Sequence, residues 1–73
     1  MSLYIFDYVI AVKGSWPHRV SDNHGTAIEA GEIFFVTDCK EKSSYYCWTL
    51  LGTKGLFNWY GRIHQFEENF AVL

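Results

Sequence analysis

Tyr45-Tyr46-Cys47-Trp48-Thr49-Leu50-Leu51, then Gly52-Thr53-Lys54-Gly55, then Leu56-Phe57-Asn58-Trp59-Tyr60 is the stretch whose reading decides the fold. Successive side chains on a strand point to opposite faces, so Tyr46, Trp48 and Leu50 form one set and Tyr45, Cys47 and Thr49 the other. The first set is the more apolar and is expected to face inward. The Gly-Thr-Lys-Gly segment supplies glycine for a positive φ and predicts a short hairpin turn. Two aromatic-rich strands across such a turn predict an antiparallel β protein.

Working outward, Ala30-Gly31 predicts a turn into a strand over Glu32 to Asp38, with polar Cys39 to Ser44 as the connection to Tyr45. Leu3 to Val12 is rich in β-branched and aromatic residues at both odd and even positions, which predicts a first strand covered on most of both faces. Lys13 to Thr26 is a long connection marked by Gly14-Ser15, Trp16-Pro17, Asp22-Asn23 and Gly25. In so small a domain it either folds back as an ordered hairpin or serves a purpose of its own. Gly61 to Phe66 is too short and too poorly periodic for a stable helix, which predicts one 3₁₀ turn. Phe70-Ala71-Val72 is either a last strand or an apolar tail.

A chain of 73 residues predicts a single domain over residues 1–73. A core of this size supplies only about 3–5 kcal/mol unless it is densely packed or stapled. Three tryptophans, five tyrosines and six phenylalanines point to dense packing. With the aliphatic residues they exceed what a small barrel encloses, so some are expected at the surface as a contact patch or as a second minicore. The net charge of -2 argues against affinity built on many phosphate contacts. Cys39 and Cys47 lack a second pair and a secretory signal, which predicts reduced thiols and a cytoplasmic location. Leu3 to Val12 is too short to cross a bilayer and carries Asp7, so no membrane role is expected.

The residues that carry catalysis elsewhere are thin here. No nucleophile-elbow pattern occurs, Cys47 falls in a predicted strand and Cys39 sits between Asp38 and Lys40 with no oriented base legible in the sequence, so an enzyme is not expected. No close ligand pair of the C-x₂-C kind is present, and His18 and His24 read as exposed loop side chains; no metal and no cofactor is expected. Gly52 to Gly55 lacks the length and the helix of a phosphate loop.

Phe6-Asp7-Tyr8, Gly31-Glu32-Ile33-Phe34-Phe35-Val36, Trp48, Gly55-Leu56-Phe57-Asn58-Trp59-Tyr60, Arg62 and Phe66-Glu67-Glu68 together resemble an SH3-like barrel over nearly the whole chain. The fold expected is all-β, a small SH3-like five-stranded partly open barrel with one 3₁₀ turn near the C-terminus. The late strand and the Arg…Phe-Glu-Glu ending are similar to small bacteriophage SH3-like proteins. The chain departs from the peptide-binding members: its long loop holds His18, Arg19 and His24 against Asp22, and Gly61-Arg62-Ile63 stands where a proline precedes the helical turn. The polyproline groove is therefore not carried over. In size and aromatic richness the chain also resembles the very short bacteriophage regulators of host RNA polymerase, those of Xanthomonas phages in particular. That resemblance implies a non-catalytic protein, a monomer when free, in the cytoplasm of an infected bacterium. It further implies binding to the large polymerase subunits, inhibition of promoter-specific initiation, and antitermination.

Interface hot spots favour Trp, Tyr and Arg. The candidate partner-binding residues are Trp16, His18 and Arg19 in the long loop, Trp59, Tyr60 and Arg62 at the end of the fourth strand, and Tyr4, Phe6 and Tyr8 as one face of the first strand. Trp16 is alternatively a lid over one barrel end, and Trp59 a core position. A second reading makes Trp59, Tyr60, Arg62 and Lys54 a nucleic-acid platform, and a third makes the chain an inhibitor of another host protein.

Overall fold

The computed structural model describes residues 3–73. In chain order the elements are β1 (Tyr8–Ala11), β2 (His18–Arg19), β3 (Ile33–Glu41), β4 (Tyr46–Gly52), β5 (Gly55–Gly61), α1 (Ile63–Asn69) and β6 (Phe70–Val72). The strands form a single antiparallel sheet in the order β2-β5-β4-β3-β1-β6. Its two outer strands, β2 and β6, do not pair with each other, so the sheet is open. This is the all-β, partly open barrel expected.

The alternation in β4 falls as the residues dictate. Trp48 and Leu50 have no exposed surface, and they meet Val9, Phe34, Val36, Phe57, Trp59, Phe66 and Phe70 in one core. Trp48 stacks on Phe66 with ring centroids 4.3 Å apart, and Phe66 stacks on Phe70 at 4.7 Å. Both buried indoles keep their polar edge bonded: Trp48 Nε1–H donates to the Leu3 carbonyl at 3.1 Å, and Trp59 Nε1–H to Ser15 Oγ at 3.3 Å.

Three details differ from the sequence expectation, each for a physical reason. There are six strands rather than five, because the long loop folds back on itself and lays His18–Arg19 against β5. Ser15 pairs with Ile28 and His18 with Gly25, so the connection is an ordered hairpin whose buried anchor is Ile28. The expected 3₁₀ turn is the seven-residue α-helix α1. It starts where Arg62 N–H donates to Gln65 Oε1 at 2.8 Å, and it is held by a single buried residue, Phe66, which left little periodicity to read. The first strand is shorter than Leu3 to Val12. Leu3, Tyr4 and Phe6 have positive φ (45°, 72° and 69°), a region costing non-glycine residues about 1–2 kcal/mol each. Tertiary contacts offset that strain: the Leu3 carbonyl accepts from Trp48, the Tyr4 ring lies 5.5 Å from Phe66, and Phe6 N–H donates to the Val36 carbonyl at 2.7 Å.

β3 also runs beyond the expected Asp38. A β-bulge at Thr37 shifts the register between Val36 and Asp38, and the Thr37 hydroxyl donates to the Thr49 carbonyl at 3.2 Å. The extra residue turns Asp38 outward opposite Thr49 and brings Cys39 opposite Trp48 against the core. Without it, alternation from Val36 would bury a carboxylate.

At the β4–β5 turn Gly55 has φ of 117° and Gly52 is packed against a ring. A Cβ on Gly52 would stand 2.5 Å from a Phe34 ring carbon. Gly52→Ala is expected to destabilise the fold by about 1–3 kcal/mol in a urea melt, since Phe34 is buried and cannot yield freely. Thr53→Ala, one residue along at the exposed turn, is expected to stay within about 0.5 kcal/mol.

Candidate partner-binding surface

The inward set fixes the outward one, and cross-strand register arranges it in three rows. The first row runs Leu56, Leu51, Phe35, Tyr8 across β5, β4, β3 and β1. Phe6 extends it, its ring 6.2 Å from Phe35, and Ile33 lies beside it on β3. A middle row runs His18, Asn58, Thr49, Asp38, with Thr49 Oγ1–H donating to Asn58 Oδ1 at 3.2 Å. The third row is Tyr60, Cys47, Lys40.

The first row holds no charged residue. Phe6, Tyr8, Ile33, Leu51 and Leu56 are 72, 59, 49, 46 and 39 % exposed, which leaves on the order of 500 Å² of apolar surface in water. A shallow groove of about 390 Å³ opens along it, lined by Tyr8, Ile33, Phe34, Phe35, Leu51 and the Gly52–Thr53 turn. At its rim Lys54 Nζ lies 3.6 Å from Glu32 Oε1. Next to the third row, a smaller cleft of about 290 Å³ is lined by Trp16, Pro17, His18, Trp59 and Tyr60.

The sequence-predicted site residues divide between these places and the core. Phe6 and Tyr8 lie in the first row as expected. Tyr4 does not join them, because the positive-φ turns swing it to the far side, where its ring meets Phe66 and its hydroxyl donates to the Glu67 carboxylate. Trp16, His18, Tyr60 and Arg62 are exposed. Arg19 is half-buried, and its Nε–H donates to Asp22 Oδ1 at 3.1 Å; that guanidinium, helped by the His24 N–H, holds the Asp22 carboxyl at about 2. Trp59 is only 7 % exposed, stacks edge-on against Trp48, and takes the core alternative. Ile33, Phe35, Leu51 and Leu56 were not singled out in the sequence. Their signal is that the outward positions of two strands stay apolar, and it becomes legible only once the pairing register is known.

The thiols are quiet. Burial, then the neighbouring Asp38 carboxylate, pushes the Cys39 thiol up to about 11. Cys47 is also raised, chiefly by burial, beneath Tyr60. A reactive cysteine needs the opposite environment. Among the described residues there is no cluster of three or more His, Cys, Asp or Glu placed to hold a metal ion, and no helix long and apolar enough to cross a membrane.

No protein-family model, no curated protein and no solved structure matches the chain.

A Cys39 thiol raised from 9.0 to about 11 carries roughly 100-fold less thiolate at pH 8. Because a thiolate of higher pKa is also more nucleophilic, iodoacetamide labelling followed by mass spectrometry is expected to modify Cys39 about tenfold more slowly in the native protein than in guanidinium. Equal rates in the two conditions would place Cys39 outside the packed environment described.

Proposed function

We propose that this chain is a non-catalytic binding module that grips a protein partner with the Leu56–Leu51–Phe35–Tyr8 row and its neighbours Phe6 and Ile33. The observation that carries this reading is the unbroken, charge-free run of apolar side chains across four paired strands. Charge depletion at the centre with a polar rim is how the middle of a protein interface is composed. Covering some 500 Å² is worth about 12 kcal/mol gross at ~25 cal/mol per Å². Association costs about 4–15 kcal/mol. The row alone is therefore comparable to the cost of docking, and complementary contacts around it set the surplus.

The partner we propose is the host bacterial RNA polymerase, through its large subunits, in the cytoplasm of an infected cell. The resemblance to short bacteriophage regulators supports that choice, and it carries with it inhibition of promoter-specific initiation and antitermination.

Immobilised protein is expected to retain the large polymerase subunits from bacterial lysate at both low and moderate salt. Leu51→Asp, which places a charge at the centre of the row without touching the core, is expected to lower retention at least tenfold while the thermal melt stays close to wild type. Absence of polymerase from the wild-type eluate at both salt concentrations would remove the proposed partner. Undiminished retention by Leu51→Asp would remove the proposed surface.

A further inference from the structure

The opposite end of the outer face is chemically unlike the apolar row. Tyr45, Tyr60 and His18 make a strip, with ring centroids 6.1 Å apart for Tyr45–Tyr60 and 5.9 Å for His18–Tyr60, both edge-on. Edge-on contact means that these rings are not stacked on one another. Trp16 flanks the same cleft and is 72 % exposed, with its indole unused by the core.

Charge is concentrated at this end as well. Among the described residues Arg19 and Lys54 have ion-pair partners, whereas Lys13, Lys40, Lys42 and Arg62 have none. Three of those four cations border the strip. Lys40 is paired across the strands with Cys47, which is itself opposite Tyr60. Lys42 N–H donates to the Tyr45 carbonyl at 2.7 Å, and Arg62 follows Gly61, which is opposite Tyr46. The nearby carboxylates are partly engaged: Asp22 is bonded to Arg19 and Asp38 accepts the Cys39 N–H at 2.9 Å, leaving Glu41 opposite Tyr46. Glu67 and Glu68 lie on α1, and Glu32 is with Lys54 at the far hairpin. With the Arg19–Asp22 pair cancelling, Lys40, Lys42 and Arg62 at this end stand against Asp38 and Glu41, one more cation than carboxylates.

We propose that this strip binds single-stranded nucleic acid, with bases stacking on Tyr45, Tyr60 and Trp16 and the backbone running past Lys40, Lys42 and Arg62. Aromatic faces accept any base, and flanking cations track the phosphates without sequence preference. The platform differs from the one expected in the sequence: Trp59 is inside and Lys54 is at the opposite hairpin. It is independent of the apolar row, which contains no cation.

Fluorescence anisotropy of the full chain with a labelled oligothymidylate of about 12 nucleotides tests this. Binding is expected at low salt, with log K falling against log salt at a slope of about -2 for three phosphate contacts. Tyr60→Ala and Trp16→Ala are each expected to weaken binding about fivefold or more, with unchanged thermal melts because both side chains are exposed. The double variant Lys40→Ala/Lys42→Ala is expected to reduce the slope by about 1.4. Leu51→Asp is expected to leave oligonucleotide binding intact, which separates this strip from the protein-binding row. No binding at low salt would overturn the proposal, as would wild-type affinity in both aromatic variants. A polyglutamate probe that binds where the oligonucleotide does not would assign the strip to an acidic protein partner instead.

Discussion

The stack of Trp48 on Phe66 is the contact on which the rest of the architecture depends. Trp48 sits at the centre of the sheet on β4, and Phe66 is the single buried residue of α1. Through Phe66 the stack reaches Phe70 and thus β6, the edge strand that closes over β1. Through the indole N–H it reaches Leu3 and fixes the N-terminal turns. A seven-residue helix is too short to persist by its own hydrogen bonds, so α1 exists because its one aromatic residue is gripped. The same grip offsets the strain of the positive-φ residues before β1. A 73-residue chain without a disulfide thereby ties both ends of its described structure to one side chain.

Much of this was legible in the sequence, and the exceptions share a cause. The β4–β5 hairpin and its inward set follow from period-two alternation and turn residues, which are local signals, and the fold-back of the long loop is one of the two readings its turn residues left open. What failed to show was decided by tertiary contacts. Leu3 to Phe6 has the composition of a strand, yet its backbone is bent by the demand of the Trp48 indole and by the Tyr4 ring meeting Phe66. Cys39 to Glu41 reads as polar connection because the bulge at Thr37 reverses the faces, so a carboxylate and a lysine stand outward on a strand that continues. Gly61 to Phe66 gives no helical period because Phe66 is the one residue of the short helix that is buried.

The candidate surface was half visible for a related reason. Composition announced more apolar side chains than a small barrel encloses, and Phe6 and Tyr8 were recognisable as surplus. The row became a row only through pairing: Leu51 and Leu56 flank the hairpin turn, Phe35 is opposite Leu51, and Tyr8 is opposite Phe35. No single position in this set is unusual, since isolated apolar residues are common at protein surfaces. Their alignment across four strands is what distinguishes them.

The bulge also explains how two chemically distinct surfaces share one sheet. Before Thr37 the outward side of β3 presents Ile33 and Phe35; after it the outward side presents Asp38 and Lys40. An extra residue of this kind bends a strand and increases its local twist. The apolar row and the aromatic strip lie at opposite ends of the outer face, separated by the hydrogen-bonded Thr49–Asn58 pair. A partner seated on the row need not cover the strip, and a charge placed on one need not disturb the other. Core packing holds both in register, because each outward residue is fixed by the buried neighbours that precede and follow it on its strand.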